Sequence, residues 1–164
     1  TMTMGRGSRN DTKKNDVSKK WDDFTPNEDY FKQLKRVSKN QIIWGGNYFN
    51  LPPSRCWLLW DKMDYNSDFA SHEMAWTSFD KVVKCFKRSR SKEGDNKNKI
   101  HPTQKPEELL EYFITLLTNE NDIVMDTFAG SGSTGKVCKQ LNRKCVLIEK
   151  DYNMFTKMKE KFDE

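Results

Sequence analysis

The stretch from Ile123 to Lys136 constrains this chain more than any other. Three apolar residues, Ile123-Val124-Met125, run into Asp126-Thr127-Phe128-Ala129-Gly130-Ser131-Gly132-Ser133-Thr134-Gly135-Lys136. A short apolar run bounded by turn residues reads as a buried strand. The glycines permit a tight turn and close approach to the backbone, and a helix that begins after such a turn offers unpaired N–H groups at its N-terminus. A second apolar run, Cys145-Val146-Leu147-Ile148, follows a short helical stretch over Lys136 to Leu141 and ends at Glu149. Strand, helix and strand in this order predict an α/β fold with parallel strands.

The remaining segments extend that pattern. Thr25-Pro26-Asn27-Glu28 reads as a capping box with proline at the first helical position, and Tyr30, Phe31, Leu34 and Val37 then share one helical face. Gln41 to Trp44, Cys56 to Trp60 and Met74 to Phe79 read as strands; the first stops at Gly45-Gly46 and the second at Asp61. Leu109, Leu110, Phe113, Leu116 and Leu117 form the apolar stripe of a helix that Asn119 can end, and Phe155, Met158 and Phe162 form that of the last helix.

Charge is distributed unevenly along the 164 residues. The net charge is +5, but Lys81 to Lys99 holds eight basic and two acidic residues, and the first twenty residues hold six and two. Both stretches are rich in Ser and Asn and read as loops that suit a polyanionic partner. Cys56, Cys85, Cys138 and Cys145 lack metal-ligand spacing and read as reduced thiols of a cytoplasmic protein. No apolar run approaches the roughly 20 residues of a membrane helix.

The glycine segment admits three ligand readings. As a P-loop it fits through Gly130, Gly135 and Lys136, but the position that must supply a magnesium-binding hydroxyl is Val137. As a dinucleotide fingerprint, Gly130, Gly132 and Gly135 fit and Glu149 could take a ribose, yet Asp126 and Phe128 interrupt the apolar approach to the first glycine. As a site for S-adenosyl-L-methionine (AdoMet), which carries a cationic sulfonium and an amine, it gains from Asp126 at one strand end and Glu149 at the next. A turn that binds nothing is the remaining possibility.

Two motifs in order bear on the choice. Asp126 to Thr134 resembles the D-x-F-x-G-S-G-[ST]-T motif of bacterial and phage DNA amino-methyltransferases. His101-Pro102-Thr103-Gln104-Lys105-Pro106 is similar to the H-P-x-Q-K-P segment that precedes it there, and Asp126 follows Pro106 by twenty residues, room for one helix. Trp21-Asp22-Asp23-Phe24 and Ile43-Trp44-Gly45-Gly46-Asn47 are also similar to that family, whose β class places the catalytic half before the cofactor half. The resemblance implies a Rossmann-like AdoMet-dependent methyltransferase fold. Asp126, Phe128, Gly130, Ser131, Gly132 and Thr134 would line AdoMet, Glu149 would hold its ribose, and Thr103, Gln104 and Lys105 would border its methionine end. It implies one domain over 21–164 after a basic arm at 1–20: a partial catalytic half at 21–80, a target-recognition loop at 81–100 and a cofactor half at 101–164. Lys87, Arg88 and Arg90 in that loop are candidates for phosphate contact.

Methyl transfer to an exocyclic amine needs acceptors that engage the amine, because its lone pair is delocalised into the ring. The family supplies them with [DNS]-P-P-[YFW], whose aromatic stacks on a flipped base. Here the Pro-Pro pair lies in Leu51-Pro52-Pro53-Ser54, whose first residue cannot accept a hydrogen bond and whose last cannot stack. It reads as a loop. The family's tetrapeptide is expected upstream of Trp21, on a strand between the one ending at Asp126 and the one ending at Trp44; a further edge strand, beside the one ending at Glu149, also usually comes from upstream. The sheet is therefore expected to be incomplete, with open strand edges.

The resulting expectation is a cytoplasmic, metal-free enzyme of the restriction–modification type. It acts on double-stranded DNA, at N6 of adenine or, second, N4 of cytosine, with AdoMet as cofactor and a separate N-terminal portion completing catalysis. A non-catalytic DNA- or nucleotide-binding remnant or split-enzyme subunit is the alternative, and a P-loop nucleotide hydrolase the third. His72-Glu73 reads as a surface or strand-entry pair, Trp57 and Trp60 read as core, and Trp44 and Tyr48 read as core ahead of a place at the border of a flipped-base pocket.

Overall fold

The computed structural model describes residues 25–66, 68–89 and 104–163. The expectations placed on residues 1–24 and 90–103 lie outside the described residues. The chain divides into two units, Thr1–Lys39 and Asn40–Glu164.

In the first unit, α1 spans Glu28–Val37. Its start differs from the sequence expectation by two residues. Asn27, not Thr25, is the cap, because its side-chain oxygen accepts the Tyr30 N–H at 3.0 Å and satisfies one of the orphan donors of the first turn. Tyr30 and Phe31 meet edge to face with centroids 5.2 Å apart.

The second unit carries two sheets. The larger is built from β1 (Ile42–Trp44), β2 (Trp57–Asp61), β3 (His72–Thr77) and β4 (Lys84–Lys87), in the order β1-β3-β2-β4. The smaller pairs β5 (Ile123–Asp126) with β6 (Lys144–Leu147), parallel and in register from Ile123↔Lys144 to Asp126↔Leu147. The expectation of parallel strands therefore holds for β5–β6 and β2–β4, whereas β3 runs antiparallel to both β1 and β2. The segment between β2 and β3 is too short for a crossover helix, so it turns the chain straight back. The strand β4 lies within the stretch that reads as a basic loop. Lysines at 81, 84 and 87 mask the apolar residues between them, and pairing with β2 decides the conformation.

Helix α2 (Glu107–Leu117) joins the two sheets. Leu109, Phe113 and Leu117 pack against Cys56, Leu58, Trp60 and Ala75 of the larger sheet. Leu110 and Ile114, the neighbouring stripe, pack with Val137 and Cys138 of α3 (Ser133–Gln140) and with Val124 and Cys145 of the smaller sheet. One helix thus buries two faces, which the expected stripe showed only in part because Ile114 lies outside it. Helix α4 (Tyr152–Asp163) buries Met158, and its amino end is held by Asp151, whose carboxylate accepts the Met154 N–H at 2.9 Å.

Trp60 is core as expected, Trp44 and Trp57 are half-buried, and Tyr48 is 83% exposed rather than packed. Leu51-Pro52-Pro53-Ser54 is loop, and the Pro52 carbonyl accepts the Trp76 indole N–H at 2.7 Å. All four cysteines are free thiols.

Among the described residues, β1 pairs only with β3, and β5 pairs only with β6. Each sheet therefore has an open edge, on β1 and on β5, of the kind expected when a strand between them is not in the sheet. The face of the smaller sheet that bears Ile123, Val146 and Ile148 is also exposed.

Candidate functional site: a glycine turn held by two carboxylates

The β5–β6 ladder continues past both strands. Ile148 N–H donates to the Asp126 carbonyl at 2.9 Å, and Ala129 N–H donates to the Ile148 carbonyl at 3.0 Å. This continuation brings Asp126 and Glu149 to the same carboxyl-terminal edge, on either side of the turn that leads into α3.

Each carboxylate grips that turn. Asp126 Oδ1 accepts the Phe128 N–H at 3.0 Å, and its Oδ2 accepts the Thr134 hydroxyl at 2.6 Å. Glu149 Oε2 accepts the Gly130 N–H at 2.7 Å, and its Oε1 accepts the Asp151 N–H at 2.8 Å. A carboxylate has about four lone-pair sites, so both retain capacity for a ligand.

Two glycines serve different ends. At Gly132, φ is +75°, and a Cβ would lie 2.7 Å from Met158 Cγ and 3.0 Å from Phe162 Cε2, so this glycine lets α4 pack against the turn. At Gly130, φ is +51°, and a Cβ would meet only the Phe128 carbonyl oxygen, at 3.9 Å. Its outer side is otherwise open space, on the turn that both carboxylates hold, a cradle that a side chain would fill. Phe128 stands 66% exposed on the same turn.

Polar side chains continue from this turn toward the larger sheet. Ser131 Oγ lies 3.0 Å from Ser133 Oγ, which accepts from Gln104 Nε2 at 3.1 Å, while Lys161 Nζ donates to the Ser131 carbonyl at 3.2 Å. The next residue, Lys105, reaches the other way. Its Nζ lies 3.5 Å from Glu73 Oε2 and 4.7 Å from the centroid of the Trp44 ring. Glu73 Oε1 in turn meets Lys62 Nζ at 2.9 Å, with the Lys62 side chain only 9% exposed. Burial pushes the Glu73 carboxyl upward, but the ammonium groups of Lys105 and Lys62 together outweigh it and hold it below the usual glutamate range. The Gln104-Lys105 dipeptide thus ties the glycine turn to the carboxyl edge of the larger sheet.

Sequence reasoning missed Ser133, Lys161, Lys62 and Glu73 in this network. His72-Glu73 enters β3, the strand-entry half of the expectation; Glu73 is half-buried there and paired with Lys62 and Lys105 rather than lying free on the surface. Of the residues expected at the cofactor, the structure gathers Asp126, Phe128, Gly130, Ser131, Gly132, Thr134 and Glu149 on one turn, with Gln104 against it; Lys105 faces Glu73 and Trp44. Thr103 lies outside the described residues.

The candidates for phosphate contact separate. Lys87 is exposed at the end of β4. Arg88 is 6% exposed, and its Nε and Nη2 lie 3.2 and 3.3 Å from the two oxygens of Glu108 on α2. Arg88 is therefore withdrawn as a phosphate ligand: its charge is spent inside the fold, where its carbonyl also accepts the Trp60 indole N–H at 2.8 Å. Arg90 lies outside the described residues. The P-loop reading also meets an obstacle, because Val137 is 1% exposed and packs beside Cys138 and Ile114, leaving no oxygen where a metal would need one.

A strand, a glycine turn and a helix, with a carboxylate at each of two adjacent parallel strand ends, define a Rossmann-like site at the carboxyl edge of an α/β sheet. Solved structures share the fold. A crystal structure of an M1.HpyAVI–SAM complex superposes with a TM-score of 0.58 at 24% identity, covering 85% of this chain and 86% of that one. The PVUII DNA methyltransferase (cytosine-N4-specific) superposes with a TM-score of 0.50 at 20% identity, over 65% of this chain and 50% of that one. The fold is that of the AdoMet-dependent methyltransferases.

Residues 8–160 match the DNA methylase family, and the chain belongs to it. Among curated relatives, the type II methyltransferase M.HpaI of Haemophilus parainfluenzae is 49% identical over 69 residues, 42% of this chain and 22% of that protein. The type II methyltransferase M2.LlaDCHI of Lactococcus lactis subsp. cremoris is 36% identical over 117 residues, 70% of this chain and 39% of that protein. The chain thus spans between about a fifth and two fifths of the length of these two relatives.

Proposed function

We propose that this chain forms the cofactor-binding part of a DNA methyltransferase that transfers a methyl group from S-adenosyl-L-methionine to N6 of adenine or N4 of cytosine in double-stranded DNA. The observation that carries this reading is the pairing of Asp126 and Glu149 around the open outer side of Gly130, supported by membership of the DNA methylase family and by the fold shared with a SAM complex.

The residues present fit AdoMet. Glu149 has lone pairs left for the ribose hydroxyls, and Asp126 has lone pairs left for the methionine amine. Gly130 leaves room for the ligand against the backbone, and Phe128 offers an exposed aromatic face. Ser131, Gly132 and Thr134 shape the same wall, and Gln104, bonded to Ser133, borders its methionine end; the assignment of Thr103 and Lys105 to that end rests on the family resemblance alone. When bound, the cofactor supplies the methyl group as an electrophile; no metal is required of this site. The partition into a partial catalytic half at 21–80, a target loop at 81–100 and a cofactor half at 101–164 belongs to the same reading. So do Lys87 and Arg90 as phosphate contacts, and action in the cytoplasm within a restriction–modification pair.

The groups that engage the target amine come, on this reading, from a separate portion of the enzyme. The open edges of β1 and β5 suit a strand bearing the [DNS]-P-P-[YFW] tetrapeptide, and the exposed face of Ile123, Val146 and Ile148 suits further apolar cover. The test is reconstitution with a segment carrying that strand, incubation with duplex DNA and labelled AdoMet, and mass analysis of the hydrolysed DNA. The complex is expected to produce N6-methyladenine or N4-methylcytosine. Methylation by residues 1–164 alone would overturn the need for the added strand; its absence from a folded, AdoMet-loaded complex would overturn the transferase reading.

A further inference from the structure

We propose that Thr134 is a positioning residue for Asp126: it fixes the carboxylate in the orientation that receives the cofactor's amino group. The inference rests on the proposed AdoMet site and adds a division of labour within it.

The geometry separates two kinds of contact on one carboxylate. Oδ1 is held by the Phe128 N–H at 3.0 Å, from the turn. Oδ2 is held by the Thr134 hydroxyl at 2.6 Å, from the first turn of α3 on the far side of Gly130 and Gly132. One donor on each oxygen removes the carboxylate's rotation about its terminal torsion. The remaining lone pair on each oxygen is then aimed before any ligand arrives, so an ammonium group binds without first freezing that rotor. The Phe128 contact belongs to the backbone and comes with the turn. The Thr134 contact is the one that a side chain supplies and that substitution can remove.

Thr134 is also braced for this task. Its β-branch restricts χ1. The turn that carries it is pinned from the opposite side by the Gly130 N–H on Glu149 Oε2 at 2.7 Å. Asp126 is only half-buried, so water can replace a lost hydroxyl and the fold itself loses little. The effect of removing the hydroxyl therefore falls on ligand binding, and on ligands with an amine.

The experiment compares the wild-type chain, Thr134→Val and Thr134→Ser, each checked by circular dichroism and thermal melting, in titrations with AdoMet, S-adenosylhomocysteine and 5′-methylthioadenosine. The last lacks the amino-acid end; the second keeps the amine without the sulfonium charge. Thr134→Val is expected to bind AdoMet and S-adenosylhomocysteine about tenfold more weakly, the range of a lost hydrogen bond to a charged group, with 5′-methylthioadenosine within about twofold of wild type. Thr134→Ser is expected to restore affinity for AdoMet and S-adenosylhomocysteine and to leave that for 5′-methylthioadenosine at the wild-type level. Equal weakening of all three ligands by Thr134→Val would make Thr134 a support of the turn and overturn the inference. So would unchanged binding of the amine-bearing pair, or a serine variant no better than valine. A folded wild type that binds none of the three overturns the cofactor reading itself.

Discussion

Glu149 Oε2 accepts the backbone N–H of Gly130 at 2.7 Å, so the carboxylate that follows β6 holds the turn that follows β5. Its other oxygen holds the Asp151 N–H at 2.8 Å, at the entry to α4. The residue expected to bind a ribose is therefore a structural clasp as well. Replacing it by alanine frees two backbone donors and removes the ribose acceptors together. Glu149→Ala is expected to weaken AdoMet binding about a hundredfold, as two charge-assisted hydrogen bonds would. Calorimetric titration checks this, and a loss below about threefold would place the ribose elsewhere.

Gly130 and Gly132 both have positive φ but should respond differently to alanine. At Gly132 the added methyl collides with Met158 Cγ at 2.7 Å, so strain and overpacking combine, and Gly132→Ala is expected to cost about 2–3 kcal/mol in urea unfolding. At Gly130 nothing of the protein is in the way closer than 3.9 Å, so Gly130→Ala is expected to cost only about 1 kcal/mol while sharply reducing AdoMet affinity. A Gly130→Ala protein that keeps its affinity would show that the ligand does not approach there.

The pairing of Glu73 with Lys62 and Lys105 makes stability acid-sensitive. The folded protein holds Glu73 more acidic than the unfolded chain does, so the contribution is fully present above the ordinary glutamate range. It is lost as pH falls through the folded-state pKa. Glu73→Gln is expected to destabilise by about 1–2 kcal/mol at neutral pH, because Lys62 stays buried beside an uncharged partner and the half-exposed geometry softens the penalty. Thermal melts from pH 7 down to 3 should show the wild type converging on the variant. Parallel curves would dissociate Glu73 from the acid response.

Lys87 and Arg88 are adjacent in sequence and opposite in environment. Lys87→Ala is expected to leave the melting temperature unchanged and lower the salt dependence of duplex binding by the reconstituted enzyme by about one counterion. Arg88→Ala removes the partner of the half-exposed Glu108 and leaves the space of a buried side chain unfilled, while the Trp60 indole keeps its bond to the carbonyl of residue 88; the expected loss is about 2 kcal/mol of stability. Fluorescence anisotropy at several salt concentrations, with melts of each variant, distinguishes the two.

What was legible in the sequence was what local chemistry specifies. The turn after Asp126 needed glycines and a following helix whatever lay around it, so its strand–turn–helix form could be read from order and spacing, whereas the cofactor roles proposed for its residues rest on the family resemblance. The apolar stripe of α2 was visible, but Ile114 was not assigned to it, because a helix that serves two cores has a wider apolar arc than one face predicts. The direction of β3, the existence of β4 and the burial of Arg88 were not legible for a common reason. Each depends on a partner distant in sequence: β2 for the strands, Glu108 for the arginine. Charge patterning marked 81–99 as solvated, and tertiary pairing overrode it at Lys84–Lys87.

The most direct measurement is an AdoMet titration into the folded chain, with Asp126→Ala and Glu149→Ala beside it and magnesium-ATP as the competing ligand. The cofactor reading predicts one AdoMet site per chain, strongly weakened in both variants, and no magnesium-dependent ATP binding. A folded wild type that takes up ATP with magnesium, or that takes up no AdoMet, would contradict it.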